Sequence, residues 1–268
     1  MSDDARFLHD EAMSEVQERL QDVNRTFTAP AIVTDFPKIW QELMPDARIV
    51  PMAEVLDLDA GDHDLVLHAM SLHWADDPVG QVVQCRRALQ PDGLFLSVAF
   101  GGATLQELRA ALAEAETRVT GGLSPRVAPM AEIREMGGLL QRAGLALPVA
   151  DSFRKIVTYS NAIALMHDLR AMGEGNALAG RHRAIPPRAL FPTAAAIYAE
   201  SFPAEQNRIQ ATFEFVFLTG WAPHESQQKP LRPGAATSRL ADALSTTEFD
   251  EAANPVHDRP DDESPNSK

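Results

Sequence analysis

Apolar and polar residues alternate with three different rhythms along the chain. In "RFLHDEAMSEVQERLQDVNRTF" the apolar residues Leu8, Ala12, Val16, Leu20 and Val23 fall at helical spacing. That predicts an amphipathic helix over about 5–25, with one face on a core. "PAIVTDF" is a short apolar run ending in Asp35 and Pro37. It reads as a strand, an N-cap at Asp35, and the start of a short helix, "PKIWQELM". "ARIVPM" is a second strand. "HDLVLHAM" is apolar without alternation, as strands covered on both faces of a parallel sheet are.

Asp77 and Pro78 open the next helix as N-cap and first residue. Val82, Cys85 and Leu89 share one of its faces, so Cys85 reads as a small buried apolar residue. "PDG" turns the chain into another buried strand, "LFLSVAF". Thr104 and Glu107 have capping-box spacing for a helix over 105–119. The loop "TGGLSPRVAP" leads to a helix that stops at Gly144. "LALPVADSFRKIVTYS" reads as a strand with a bend or bulge. Helices are expected near 160–171 and 188–201. In "IQATFEFVFLTGW" the residues Ile209, Ala211, Phe213, Phe215 and Phe217 alternate with others. This predicts an antiparallel strand at the end of a sheet.

The order is βα units, a helical insertion over about 160–205, and a closing antiparallel strand. The fold class is therefore α/β: a doubly wound, mostly parallel, Rossmann-like sheet with right-handed connections. Ligands of such sheets bind beyond the carboxyl ends of the central strands. The first βα turn and "AMSLHW" should rim that crevice.

Composition narrows the function. The chain has 268 residues, 45% of them apolar, and a single cysteine. That is enough for a real core but leaves no internal disulfide and no cysteine metal cage. No apolar run reaches the roughly 18 residues of a membrane span, and "MSDDARFLHD" lacks a signal pattern. A cytoplasmic protein is expected. The net charge of −14 argues against general nucleic-acid binding. Residues 244–268 hold seven acidic and two basic side chains and read as a disordered acidic tail after one domain over 1–243.

"HDLVLHAMSLHWADDP" followed by "ALQPDGLFL" resembles the later motifs of class I S-adenosylmethionine-dependent methyltransferases. Within them it is most similar to the branch of the malonyl-carrier-protein methyltransferase of biotin synthesis and complex I assembly factor 5. "FGGATLQELRAALAEAE", "GGLSPRVAPMAEIREMGGLLQRAGLALPVAD", "LMHDLRAMGEGNAL" and "LTGWAPHESQQKPLRPGAA" resemble the latter family, from about Arg6 to Leu244. The resemblance implies a seven-stranded methyltransferase sheet with a helical insertion before the last strand. It implies a methyltransferase-family protein that acts in assembly of respiratory complex I (NADH:quinone oxidoreductase). It also implies a polypeptide partner, such as a complex I subunit with a basic segment. Two alternatives stay open within it: a protein arginine hydroxylase on the same fold, as attributed to one member, and a non-enzymatic scaffold.

The chain departs from the family at the cofactor, S-adenosylmethionine. A class I site needs glycines after the first strand, so that backbone N–H groups approach the ligand. The first glycine here is Gly61, and that turn reads "IVTDFPKIW". Asp35 and Phe36 stand where glycines are expected. An Asp35 N-cap would occupy the helix-start donors with its own carboxylate. Roughly thirty residues separate Ile32 from Asp64, about half of what the family uses, so one βα unit is missing. Glu54 is the carboxylate nearest the adenine position, and Asp64 matches the acid that starts the fourth family strand. The cofactor-contacting positions that remain are Asp35, Glu54, Ala69 and Ser71. Binding is expected to be weak or lost.

His73 and Trp74, past the end of a central strand, are candidates for orienting or deprotonating an acceptor; a histidine packed locally on the tryptophan fits the same positions. "HESQQK" after the last strand offers His224 for catalysis and Glu225 and Gln227 for substrate binding, or a polar cap on the sheet end. Arg126 in "SPR" could bind a carboxylate bidentately or join a surface ion pair. No metal site is expected. His63 with Asp64 and His167 with Asp168 are adjacent pairs whose side chains diverge, and His224 with Glu225 lacks a third ligand. Neither a Gly-x-Ser-x-Gly elbow nor a phosphate loop occurs.

Overall fold

Strand β3 (His63–Ala69) is buried at every residue, which is why its sequence does not alternate. In the computed structural model, which describes residues 5–228, β3 pairs in parallel with β1 (Pro30–Val33) and with β4 (Leu89–Phe100). β2 (Arg48–Val50) lies parallel outside β1. On the other side β7 (Arg208–Trp221) runs antiparallel to β4, and β5 (Ala146–Tyr159) antiparallel to β7. The path is β2-β1-β3-β4-β7-β5, with the two-residue β6 (Pro203–Ala204) paired to β7. Among the described residues only β2 stands beyond β1, so one βα unit is absent from that side. The fold is the α/β class read from the sequence.

Two helical layers cover the sheet. On one face α1 (Phe7–Asp22), α4 (Gln106–Thr120), α6 (Ala162–Met172) and α7 (Leu190–Ser201) pack over Leu67, Leu96, Phe213, Phe215 and Phe217. The three phenylalanines are fully buried, each contributing roughly 1.5–3 kcal/mol. On the other face α3 (Pro78–Ala88) and α5 (Ile133–Arg142) pack Val82, Cys85, Met136 and Leu140 on Val66, Phe95 and Leu218. α6 and α7 form the insertion before β7. A unit of internal contacts runs to Glu225, and a second begins at Ser226. The expected tail over 244–268 lies outside the described residues.

Four local expectations are corrected. β7 closes the sheet in sequence but not in space: it lies between β4 and β5, and its Thr212, Glu214, Val216 and Leu218 are buried too. β4 begins at Leu89, because "PDG" is absorbed as an irregularity, with Asp92 at φ 62, rather than as a break. The N-cap of the short helix α2 (Pro37–Trp40) is Phe36, not Asp35. Thr104 and Glu107 form no capping box: Leu105 is the N-cap of α4, left-handed at φ 54.

The last correction has a cause in β7. Thr104 Oγ1 accepts from the Glu214 N–H (3.0 Å) and donates to the Glu214 carbonyl (3.2 Å). The Glu107 carboxylate accepts from the Thr212 hydroxyl (2.5 Å) and N–H (3.1 Å). These groups are buried and each needs a partner. The polar pair thus fastens α4 onto β7 rather than capping its own helix. Glu107→Ala would strand the Thr212 donors at about 1–3 kcal/mol each. Urea unfolding should show that loss, with Glu107→Gln retaining most of the stability.

Candidate functional site

The carboxyl ends of β1, β2 and β3 meet in a lattice of backbone and side-chain bonds. Thr34 N–H donates to the Val50 carbonyl (2.9 Å). Asp35 N–H donates to Ser71 Oγ (3.1 Å), and the Ser71 hydroxyl donates to the Ala69 carbonyl (3.1 Å). The Asp35 carboxylate accepts from Met52 N–H (3.2 Å) in the loop after β2. Phe36 N–H is taken by Thr34 Oγ1 (3.1 Å). The amides that a glycine-rich turn would offer to a ligand are therefore bonded within the protein.

The space above this lattice is filled from the helical side. The Phe36 ring lies 4.3 Å from the His9 ring of α1. A Cβ on Gly173 would stand 3.7 Å from the same phenylalanine. Trp40, fully buried, donates its indole N–H to His9 Nδ1 (3.2 Å). Burial lowers the His9 pKa to about 4; the Glu174 charge opposes the shift and His73 adds to it.

Leu72–Trp74 form a single 3-10 turn after β3, with Ser71 as its N-cap. Its His73 sits 5.0 Å from the Phe100 ring and 5.5 Å from the Trp74 ring, between centroids. His73 Nδ1 accepts from Phe100 N–H at 3.5 Å, which leaves the proton on Nε2, facing Glu174 Oε1 at 3.4 Å. Both side chains are nearly buried, at 3% and 8% exposed. Glu174 follows Gly173, the left-handed residue (φ 91) that ends α6. Sequence reading missed it. The only signal was a carboxylate directly after a helix-terminating glycine, and that says nothing about which crevice it enters.

Three cavities adjoin this turn. One of about 520 Å³ is bounded by His73, Ala75, Pro78, Met130, Met136 and Arg142. One of about 450 Å³ is bounded by Glu54, Trp74, Asp76, Asp77, Gln81 and Gln84. A third, about 70 Å³, is walled by Trp74, Phe100, Leu169 and Phe213, with Arg126 and Glu174 at its margin. A larger cavity, about 910 Å³, lies by Thr28, Pro30 and Ala47 at the amino ends of the strands, away from where such sheets bind ligands.

The structure thus gathers Asp35, Glu54, Ala69, Ser71, His73 and Trp74 at one end of the sheet. Ala69 and Ser71 are wholly buried, and their side of the lattice is internally satisfied. Arg126 reaches the small cavity but donates to Glu116 Oε1 (2.6 Å). Burial alone would raise the Glu116 pKa; bonds from Arg126 and Ser124 outweigh it and lower it to about 2. His224 and Glu225 are not brought to this crevice. Trp221 pairs with Leu94 near the middle of β4, and Ala222 N–H donates to the Gly93 carbonyl. His224 and Glu225, shortly after that point, lie toward the amino end of the parallel strands, opposite His73. Gln227 falls outside the unit that holds the crevice. Among the described residues no group of three histidine, cysteine or carboxylate side chains could hold a metal ion.

Comparison with known proteins places the chain. No family model matches it. It is 35% identical over 230 residues to "Arginine-hydroxylase NDUFAF5, mitochondrial" of Danio rerio, covering 85% of this chain and 69% of that one. The chain belongs to the NDUFAF5 family. Members of that name which it matches are covered over 43% to 69% of their own length. It is also 33% identical over 181 residues to the malonyl-[acyl-carrier protein] O-methyltransferase of Laribacter hongkongensis, covering 68% of this chain and 58% of that one. A putative methyltransferase from Bacillus halodurans aligns with TM-score 0.48 at 12% identity, over 78% of this chain and 99% of that one.

NDUFAF5 membership agrees with the family read from the motifs. It overturns the expected cytoplasmic location, because the NDUFAF5 relatives are mitochondrial proteins by name. No helix among the described residues is long and apolar enough to cross a membrane. In this NDUFAF5-family chain the turn after β1 does not suit the carboxylate end of S-adenosylmethionine: its amides are spent, Phe36 fills the space and Asp35 is acidic.

His9 and the fully buried His68 both have pKa values lowered to about 4, chiefly by burial. The unfolded chain binds protons near pH 6.5 that the folded chain refuses. Their contribution is therefore present above pH 6.5 and lost as the pH falls toward 4. Stability should fall between pH 6.5 and 5 by up to about 1.4 kcal/mol per pH unit per histidine. Chemical denaturation across that range checks it, and His9→Gln should shallow the slope.

Proposed function

We propose that the protein serves assembly of respiratory complex I by receiving a cationic side chain of a partner polypeptide in the cavity beside His73, with S-adenosylmethionine bound weakly or not at all. The observation that carries this is Glu174. A carboxylate only 8% exposed, facing a cavity walled by Trp74, Phe100 and Phe213, is an arrangement that selects a guanidinium. The aromatic faces favour a cation, and the carboxylate supplies charge-assisted hydrogen bonds. Arg126 at the margin does not repel the guest strongly, because Glu116 already pairs with it. The residue class agrees with the word arginine in the names of the NDUFAF5 relatives.

In this reading His73 is the group in reach of the bound side chain, and its Nε2–H holds Glu174 in place until the guest replaces it. Trp74 forms the mouth. Methyl transfer to a partner, as the malonyl-[acyl-carrier protein] O-methyltransferase relative is named for, is the second reading. It is favoured by the intact cavity along Glu54, Asp77 and Gln81 and opposed by the closed turn after β1.

A strain lacking the gene should assemble less complex I, and the wild-type gene should restore it. Glu174→Gln keeps the shape of the side chain and removes the charge. Losing one charged hydrogen bond of about 1.5–3 kcal/mol should weaken partner capture roughly tenfold to a hundredfold. Native gels of respiratory complexes should then show little restoration while the purified variant melts within a few degrees of wild type. Full restoration by Glu174→Gln would refute the role of the carboxylate.

A further inference from the structure

The sheet ends on β5, and the outer side of that strand is open. Among the described residues β5 pairs with β7 alone. The other end of the path, β2, has only three residues and offers little to a neighbour. β5 has 14. Its register with β7 shifts between Ala146 and Val149 and then runs unbroken to Tyr159. Pro148 has no N–H to give, so the outer edge can join a ladder only from Val149 onward. At the far end the Thr158 carbonyl and hydroxyl already accept from Arg208, at 2.6 Å and 3.0 Å. The usable stretch is therefore 149–157, and its middle residue is Phe153. Two of its apolar side chains face solvent: Val149 is 54% and Ile156 60% exposed.

We propose that 149–157 pairs antiparallel with the same stretch of a second copy, about a two-fold axis at Phe153. Such an axis stands perpendicular to the sheet and makes the contact self-complementary. Each residue then lies opposite one on the same face. Centred on Phe153, the axis sets Asp151 opposite Lys155, Ser152 opposite Arg154, Ala150 opposite Ile156 and Val149 opposite Val157, each pair occurring twice. Opposite charges and apolar side chains that face each other across strands are stabilising. Neighbouring registers lose this. An axis at Ser152 sets Lys155 against Val149 and Arg154 against Ala150; one at Arg154 sets the two arginines against each other. Complementarity to itself in one register, with the axis at the middle of the usable stretch, is what a second copy requires and a foreign strand does not. The central ring is already fixed, stacked 5.0 Å from Phe215 and 6.0 Å from Phe217 between centroids. Asp151 and Lys155 have partners on α1, Arg19 and Glu11, yet their side chains stay 46% and 44% exposed. The contact thus extends two existing ion pairs and buries no charge alone.

Sedimentation equilibrium of the full chain over a range of concentrations tests this, and should show a monomer–dimer equilibrium. Ile156→Lys replaces an apolar pair by a charge against Ala150 of the second copy, and should weaken the dimer roughly tenfold or more. Val55→Lys is the same kind of change at a site 78% exposed and outside β5; it should dimerise as wild type. Both variants should melt as wild type at concentrations where the chain is monomeric, since both side chains are exposed. Cysteines test the register. Ser152→Cys and Arg154→Cys, mixed and mildly oxidised, should cross-link as a heterodimer, because directly opposite residues lie within disulfide reach. Each variant alone should cross-link poorly, its two cysteines being offset along the strands by two residues and so more than about 7 Å apart. The native Cys85 is fully buried and stays out of the reaction. A monomer at every concentration, an Ile156→Lys dimer as stable as wild type, equal weakening by Val55→Lys, or cross-linking of a single variant as strong as in the mixture would each overturn the proposal; the first would leave the edge to a strand of another protein. None of these outcomes bears on the Glu174 cavity.

Discussion

The bond between the Asp35 carboxylate and the Met52 amide is where the site takes its character. It joins the loops after β1 and β2, while the Asp35 amide joins β1 to Ser71 after β3. Three strand ends are thereby locked to one another instead of being held open for a ligand. In a doubly wound sheet this is the place where backbone amides face outward. Here they donate to oxygens of the protein itself, those of Val50, Ser71, Thr34 and Asp35. The arrangement also explains why Asp35 does not cap α2: its carboxylate is drawn across the sheet, and Phe36 becomes the cap and turns its ring inward onto His9.

With the cofactor turn closed, the polar chemistry at this end shifts sideways, to His73 and Glu174. The shift depends on the insertion. α6 ends at Gly173 because a left-handed residue is needed there, and the next residue is delivered into the crevice under Phe100 and Trp74. The same insertion then leaves the core and exposes Arg183, Arg188 and Ile185. One segment thus supplies both the buried carboxylate and the cationic outer face. Its helices are fixed by apolar packing, with Leu165, Leu169, Leu190, Tyr198 and Phe213 in one core.

Much of the fold was legible because strand burial writes itself into composition. "HDLVLHA" without alternation and Asp77–Pro78 before α3 translated directly into structure, and the Asp77 side chain does accept from Gly80 N–H (2.9 Å). The misreadings share a cause. Asp35, Thr104 and Glu107 have local capping signatures, but each is taken by a partner far away in sequence: Met52, Glu214 and Thr212. Short-range rules cannot see a competing long-range partner. The site was half legible. His73 and Trp74 follow from fold logic, since they come directly after a central strand. His224 lies away from His73 because the antiparallel course of β7 carries its end to the other end of the sheet, and Glu174 was invisible because its place is set by packing of α6. The missing glycines after β1 were the most informative feature of the sequence, and the bonds that replace them are the most informative feature of the structure.

The central claim is that the closed turn after β1 cannot anchor S-adenosylmethionine. Isothermal titration of the purified full chain with S-adenosylmethionine tests it most directly. Loss of two charged hydrogen bonds of about 1.5–3 kcal/mol each weakens binding by about a hundredfold or more. The predicted result is no saturable heat at micromolar cofactor. One-to-one binding with a micromolar or tighter dissociation constant would contradict the account, because the amides bonded to Asp35, Thr34 and Ser71 would then have to open for the ligand at little cost.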